Sequence, residues 1–288
     1  MLAEIHTLHR SEHYQVTDFR CHCDVCSVSQ EEYNDAFCIS FIRKGFFEYR
    51  TFKRNSEVFA GRVHLSKPGY EHTTRHIDQQ PDITTTIEFT ASFFENVKLH
   101  YKEAAWFLNN NDIHSMVIQC SVGAELLQHR LLAALTNKGY DSLKIDELVF
   151  AILDHVMGIA GNVHELPVLP ESLVKHHLGT VESAKEYILK HFREDISLQQ
   201  LATHCHVSPF HFSRIFRSVL QTSPHKYLTE VRLHHGQLMV DTTNKPIADI
   251  AFECGFSSAE HFTTAYKKMF GAPPSMHYSR ILKVHNAQ

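Results

Sequence analysis

The spacing of hydrophobic and polar positions changes along the chain, and the changes divide it. Up to residue 90 the apolar residues alternate or run in short blocks. "AFCISFIRKG" (36–45), "FFEYRTFK" (46–53) and "ITTTIEFT" (83–90) are rich in β-branched and aromatic residues and read as strands. Gly45, Gly61 and "KPGY" (67–70) separate them at sandwich or barrel intervals. Then the period lengthens to that of a helix. Phe94, Val97, Tyr101, Ala104, Ala105 and Leu108 mark one stripe, Leu127, Leu131, Ala134 and Leu135 a second, and Ile145, Leu148, Val149, Ile152 and Val156 a third. "GNVHELPVLPESLVKHHLGT" (161–180) has little periodicity, with two prolines and two glycines, and reads as a linker. From Val181 onward the pattern is helical throughout. Ser197 with Gln200 predicts a capping box, and Pro224 and Pro246 fit first helical turns.

Within this last part a short amphipathic helix stops abruptly, and it does so twice. In "IADIAFECGFSSAEHF" (247–262), Ile247, Ile250, Ala251 and Cys254 share a face until Gly255 and Phe256 interrupt it. Leu198, Leu201, Ala202, Cys205, Val207 and Ser208 match Ile247, Ile250, Ala251, Cys254, Phe256 and Ser257 at an offset of 49. Phe212, Phe216, Arg217 and Pro224 match Phe262, Tyr266, Lys267 and Pro274 at an offset of 50, so one residue is inserted near the start of the second copy's longer helix.

Each copy reads as a helix-turn-helix: a bracing helix, a tight turn, Ser208 or Ser257 as N-cap, and a longer helix suited to the major groove. Residues 224–240 form a helical spacer of about 25 Å, which could hold the two longer helices about one DNA turn apart. A repeat scaffold without nucleic acid is the alternative, but solenoids generally stack at least three repeats and here there are two.

Charge supports the division. Residues 178–288 carry 12 Lys+Arg against 9 Asp+Glu, leaving 16 against 23 for residues 1–177. Arg214 and Arg217 lie on the first longer helix, Lys267 and Lys268 on the second. Phe210, Ser213, Arg214, Ala259, Glu260 and Thr263 are the expected base readers, Arg214 because its planar fork fits guanine O6 and N7. Glu260 could accept from cytosine N4 or sit on a solvated face. Ser208, Arg217, Ser257, Lys267 and Lys268 are the expected phosphate contacts, with Lys245 behind them. Phe212, Phe216, Phe262 and Tyr266 share their stripe with Leu220 and Phe270 and belong in the core.

Composition is that of a globular chain, with 43% hydrophobic and 21% charged residues, and no run suggests a membrane span. "MLAEIHTLHRSEHY" lacks a secretion signal, and seven Cys suit reduced thiols, so a cytoplasmic location is expected. Within "CHCDVC", Cys21, Cys23 and Cys26, with Cys38 nearby, could wrap a soft ion such as Zn²⁺, with His22, His72 or His76 completing the site. A redox-sensing pair and small buried hydrophobes are the alternatives. The 24 His are scattered, with no metal-cupin HxH pattern, G-x-S-x-G or P-loop, so no enzyme activity is expected. "YEHTTRH" reads as a polar loop at the mouth of the β domain, where Glu71, His72 and His76 could contact an effector.

"ISLQQLATHCHVSPFHFSRIFRSVLQTSPHKYLTEVRL" and "KPIADIAFECGFSSAEHFTTAYKKMFGAPPS" resemble the AraC/XylS family of transcription regulators over about 100 residues, Val181 to about Tyr278. The resemblance implies an α+β chain: a cupin-like, effector-binding β-barrel with a helical dimerisation segment (1–160), a linker (161–180) and an all-α domain of two helix-turn-helix units (181–288). It implies double-stranded DNA, a small-molecule effector and a second copy of the chain as partners, with RNA polymerase a further one and activation a role. An enzyme or a metal-binding cupin whose DNA module is incidental is the rival reading, and a metal- or thiol-sensing regulator, which differs only in its signal, is the third. Thr264 stands where the family usually has Arg, Gly236 where the spacer helix has Ala, and Tyr278 where an Arg is usual.

Overall fold

The computed structural model describes residues 3–22, 28–52, 54–77, 81–136, 141–162 and 169–276. The chain divides into two compact units, Met1–Leu178 and Gly179–Gln288. Within the expected linker, residues 163–168 lie outside the described ones, and a helix runs Glu171–His191 across the unit boundary.

Among the described residues the N-terminal unit holds ten strands: β1 (Ala3–Arg10), β2 (Tyr14–Cys21), β3 (Glu32–Asn34), β4 (Phe37–Lys44), β5 (Phe46–Thr51), β6 (Asn55–Phe59), β7 (Arg62–Ser66), β8 (Tyr70–His76), β9 (Ile83–Phe89) and β10 (Ser115–Gln119). They form two sheets, β1-β2-β9-β4-β7-β10 and β3-β8-β5-β6, and neither closes on itself. The expected barrel is therefore corrected to a mixed α/β unit with two open sheets. Each sheet ends in edge strands that pair on one side among the described residues, β1 and β10 in one and β3 and β6 in the other; turns such as those between β4 and β5, β6 and β7, and β7 and β8 carry the chain between the sheets. Gly45 makes the first of these turns at φ +95°, and a Cβ there would meet Asp82 Cα at 2.8 Å. Only glycine combines that backbone with that approach.

The six-stranded sheet has two unlike faces. Val16, Ile87, Ile39, Leu65 and Met116 pair in one row across five strands. They share a core with four helices, α1 (Ala91–His100), α2 (Ala105–Leu108), α3 (Val122–Thr136) and α4 (Ser142–Asn162). Burying such side chains stabilises by about 1.5–3 kcal/mol each. The next row, Thr17, Thr86, Ser40 and His64, is polar and points the other way. Phe94, Val97, Ala104 and Leu108 of the first helical stripe, Leu131 of the second and all five residues of the third are buried in this core. These apolar helix faces therefore pack within the unit.

The C-terminal unit is helical where described: α5 (the Glu171–His191 helix) enters it, followed by α6 (Leu198–His204), α7 (Pro209–Leu220), α8 (Pro224–Thr242), α9 (Ile247–Glu253) and α10 (Ala259–Phe270). The short helices are seven residues each and the long ones twelve, so the duplication read from sequence is also a duplication of form.

Candidate nucleic-acid interface

The first unit of the duplication starts as its sequence predicts. Ser197 Oγ accepts from the Gln200 amide while Gln200 Oε1 accepts from the Ser197 amide, a complete capping box opening α6. Helix α6 ends at Cys205, and His206 takes a left-handed φ of 57°. The Val207 amide then reaches back to Ala202 O at 3.0 Å, and Ser208 caps α7 through the His211 amide.

The second unit repeats this turn with Gly255 at φ +84° and the Phe256 amide on Ala251 O at 3.0 Å. Its cap differs from the expected one. Ser258, not Ser257, accepts from the His261 amide. The one-residue insertion thus lies before the cap, making Ser258 the counterpart of Ser208. Likewise Pro246 is the N-cap of α9 rather than its first helical residue.

Buried residues fix the orientation of the long helices. Phe212, Ile215, Phe216, Val219 and Leu220 bury one face of α7, and Phe262 and Tyr266 bury the matching face of α10. Phe262 packs where α8 carries no side chain: a Cβ on Gly236 would lie 2.6 Å from the Phe262 ring. The glycine that departs from the family pattern therefore makes room for an aromatic anchor.

The opposite faces are open. Phe210 is 80% exposed on this face. Arg214 and Arg217 follow at i+4 and i+7, both exposed, with Ser213 half-buried beside them. On α10, Glu260, Thr264, Lys267 and Lys268 are exposed, and Ala259 and Thr263 are half-buried. The side chains of Arg214, Arg217, Lys267 and Lys268 make no ion pair or hydrogen bond among the described residues, whereas Lys245 holds Glu253 at 2.6 Å. The four unpaired cations are available to an external anion. Ser208 and Ser257 are exposed at the two turns.

A second concave site lies between the sheets of the N-terminal unit, a cavity of about 320 Å³. "YEHTTRH" is strand β8 rather than a loop, and its alternation places His72, Thr74 and His76 on the cavity while Glu71 is exposed and does not line it. Sequence reasoning missed Tyr49, His64, Ser40 and Thr86 on its walls. The polar alternate positions of "ITTTIEFT" were the available signal. His72 stacks on Tyr49 at 4.5 Å, and His64 packs tilted against the same ring at 4.3 Å. His64 Nε2 and His72 Nδ1 are buried with no hydrogen-bond partner among the described residues. Burial, reinforced by neighbouring His72, pushes the His64 imidazole down to about 3, so it stays neutral. Burial and the Glu88 carboxylate push the Cys38 thiol up to about 12.

Of the cysteine cluster, Cys21 is buried at the end of β2, whereas Cys23 and Cys26 lie outside the described residues. Tyr278 lies outside them too.

A family model described as "Helix-turn-helix domain" matches residues 201–279. The chain is 38% identical over 95 residues to the bifunctional transcriptional activator/DNA repair enzyme AdaA of Bacillus subtilis, covering 33% of this chain and 45% of that protein. It is 32% identical to the C-terminal domain of AraT, a response regulator from Geobacillus stearothermophilus, covering 35% of this chain and 84% of that domain with a TM-score of 0.34. An AraC-type transcriptional regulator from Chromobacterium violaceum is 28% identical, with 36% and 94% covered and a TM-score of 0.35. The chain spans less than half the length of the curated relatives it matches. Residues 201–279 thus match a helix-turn-helix domain, and this part of the chain is similar to AraC-type transcription regulators.

Proposed function

We propose that the chain is a sequence-specific, DNA-binding transcription regulator whose N-terminal cavity takes a small effector. The observation that carries the DNA reading is the pair of twelve-residue helices, each buried on an aromatic face and open on a polar face with unpaired cations. In this reading Phe210, Ser213 and Arg214 read bases from α7, and Ala259, Glu260 and Thr263 from α10. Arg217, Lys267 and Lys268 hold phosphates, and Ser208 brings its helix N-terminus to the backbone. Ser258 replaces Ser257 in that last role, since it caps α10. Helix α8, 19 residues and therefore about 28 Å long, separates the two reading helices. Thr264 occupies the place that Arg214 has in the first unit, so α7 carries more of the base reading and α10 more of the anchoring.

The effector reading rests on the orphaned His64 and His72 nitrogens, which a ligand's hydroxyl or amine would satisfy. The cavity wall carries Glu32, Asp35, Asp82 and Glu88 and, among the described residues, no Lys or Arg. That balance favours an uncharged or cationic effector over an anion, which would face carboxylates in a low dielectric. Binding would act by population shift, through differential affinity for two dispositions of the chain.

Fluorescence anisotropy of the full chain on operator and random duplexes tests the DNA reading. Arg214→Ala should lose about 1–3 kcal/mol at one operator position, whereas Lys267→Ala should weaken every duplex alike. Equal losses on operator and random DNA for Arg214→Ala would refute its reading role.

A further inference from the structure

At the edge of the N-terminal cavity, Cys21 meets His76 and Asp82 of its wall in a cluster to which the effector reading gives no metal. Cys21 ends β2, His76 ends β8 and Asp82 precedes β9, so three separate segments converge. Their ligand atoms, one sulfur, one imidazole nitrogen and one carboxylate oxygen, all lie within 4.8 Å of one another. All three residues are buried, at 3%, 6% and 4% exposure.

The surroundings fix this convergence from several directions. The Cys21 amide donates to Asp82 O at 3.0 Å, clasping the two backbones together. Thr84 Oγ1 donates to Asp82 Oδ2 at 3.2 Å, orienting the carboxylate from outside the cluster. His76 Nε2 bonds Asp82 Oδ1, and the Phe47 ring packs edge-on against the imidazole. Gly45 lets the backbone of Asp82 approach as closely as it does. A carboxylate oriented by a second partner is what metal ligands commonly have.

From this geometry we infer that Cys21, His76 and Asp82 bind one divalent transition-metal ion of the Zn²⁺ class, forming a three-ligand site at the edge of the cavity. The chemistry of the set fits. Thiolate, imidazole and carboxylate bind Zn²⁺ at about 2.0–2.3 Å, and a triangle of this size contracts onto such bonds with small side-chain movements. One thiolate and one carboxylate cancel the ion's two charges, which a buried site needs. The thiol proton leaves on binding, so affinity rises with pH. Three protein ligands leave a fourth position for water or a ligand atom, and His76 and Asp82 also line the cavity. This site keeps Cys21 from the cysteine motif but takes its other ligands from β8 and the start of β9. It is independent of how the chain uses DNA.

Cobalt titration of the chelator-treated full chain tests the inference. One equivalent of Co²⁺ should produce thiolate-to-cobalt charge-transfer absorption, which stoichiometric Zn²⁺ abolishes by displacing the cobalt. Cys21→Ser should lose that absorption, and His76→Gln should weaken binding about tenfold or more. A Cys23→Ser/Cys26→Ser double variant should keep it. No absorption in the unsubstituted chain, or absorption lost in the double variant and kept in His76→Gln, overturns the proposal. Should a single variant fail to fold, X-ray absorption on the unsubstituted zinc-loaded chain decides: one sulfur in the first shell supports this site, and none or more than one contradicts it.

Discussion

His206 and Gly255 occupy the same place in the two turns, at φ 57° and +84°, yet only one is glycine. A non-glycine residue in that region costs roughly 1–2 kcal/mol, partly recovered because glycine loses more entropy on folding. His206→Gly should therefore stabilise the C-terminal unit by up to about 1 kcal/mol in urea unfolding. Gly255→Ala should do the reverse and more strongly. Its Cβ would lie 2.8 Å from Phe192 O and 2.9 Å from Arg193 O, where backbone cannot yield. Equal effects of the two substitutions would refute this account of the turns. At this scale the sequence was informative where chemistry is local. Gly255 announced its turn, and the aromatic residues at helical spacing announced their burial. Gly236 read only as a departure from the usual Ala of the spacer helix, because nothing along α8 reveals the Phe262 ring that reaches it from α10.

At the scale of elements the duplication was legible almost whole, because both copies repeat the same apolar positions and breaks. What was not legible was which of two adjacent serines caps α10. Ser257 and Ser258 carry the same side chain, and only the backbone distinguishes them: Ser258 is extended at ψ 150° and accepts from His261. Ser258→Ala should therefore cost about 0.5–2 kcal/mol in thermal or urea unfolding, while Ser257→Ala stays within about 0.5 kcal/mol. Comparable losses would return the cap to Ser257. Strand β8 was missed as an element for a related reason. "YEHTTRH" carries no apolar alternation, since the face it buries lines a polar cavity instead of a core.

On the scale of the whole molecule, two kinds of patterning separate two units. Helical periodicity fixed the C-terminal architecture, whereas the strand pattern left open whether the N-terminal strands close. Sheet closure depends on which strands pair at the edges, and alternation along single strands does not encode that. The buried His64 gives the N-terminal unit a pH dependence. Its folded-state value, about 3, lies below the ordinary histidine value, so between these limits the unfolded chain binds the extra proton. Stability from this group is full above pH ~6.5 and falls by up to about 1.4 kcal/mol per pH unit as pH drops toward 3. Tyr49 and His72 face the same ring, so the comparison is with His64→Gln, whose unfolding midpoint should fall less steeply with acid. Parallel profiles for both proteins would remove His64 as the cause.

No helix among the described residues is long and apolar enough to cross a membrane. The central claim is that the polar faces of α7 and α10 bind a duplex, and affinity measured against salt tests it most directly. Full-length chain titrated onto double-stranded DNA should give a logarithmic affinity that falls linearly with log salt, with a slope of about −0.9 per phosphate contact. Lys267→Ala should make that slope shallower by about one. Folded chain that ignores duplex DNA even in dilute buffer, or a slope that the loss of Lys267 leaves unchanged, would contradict the account.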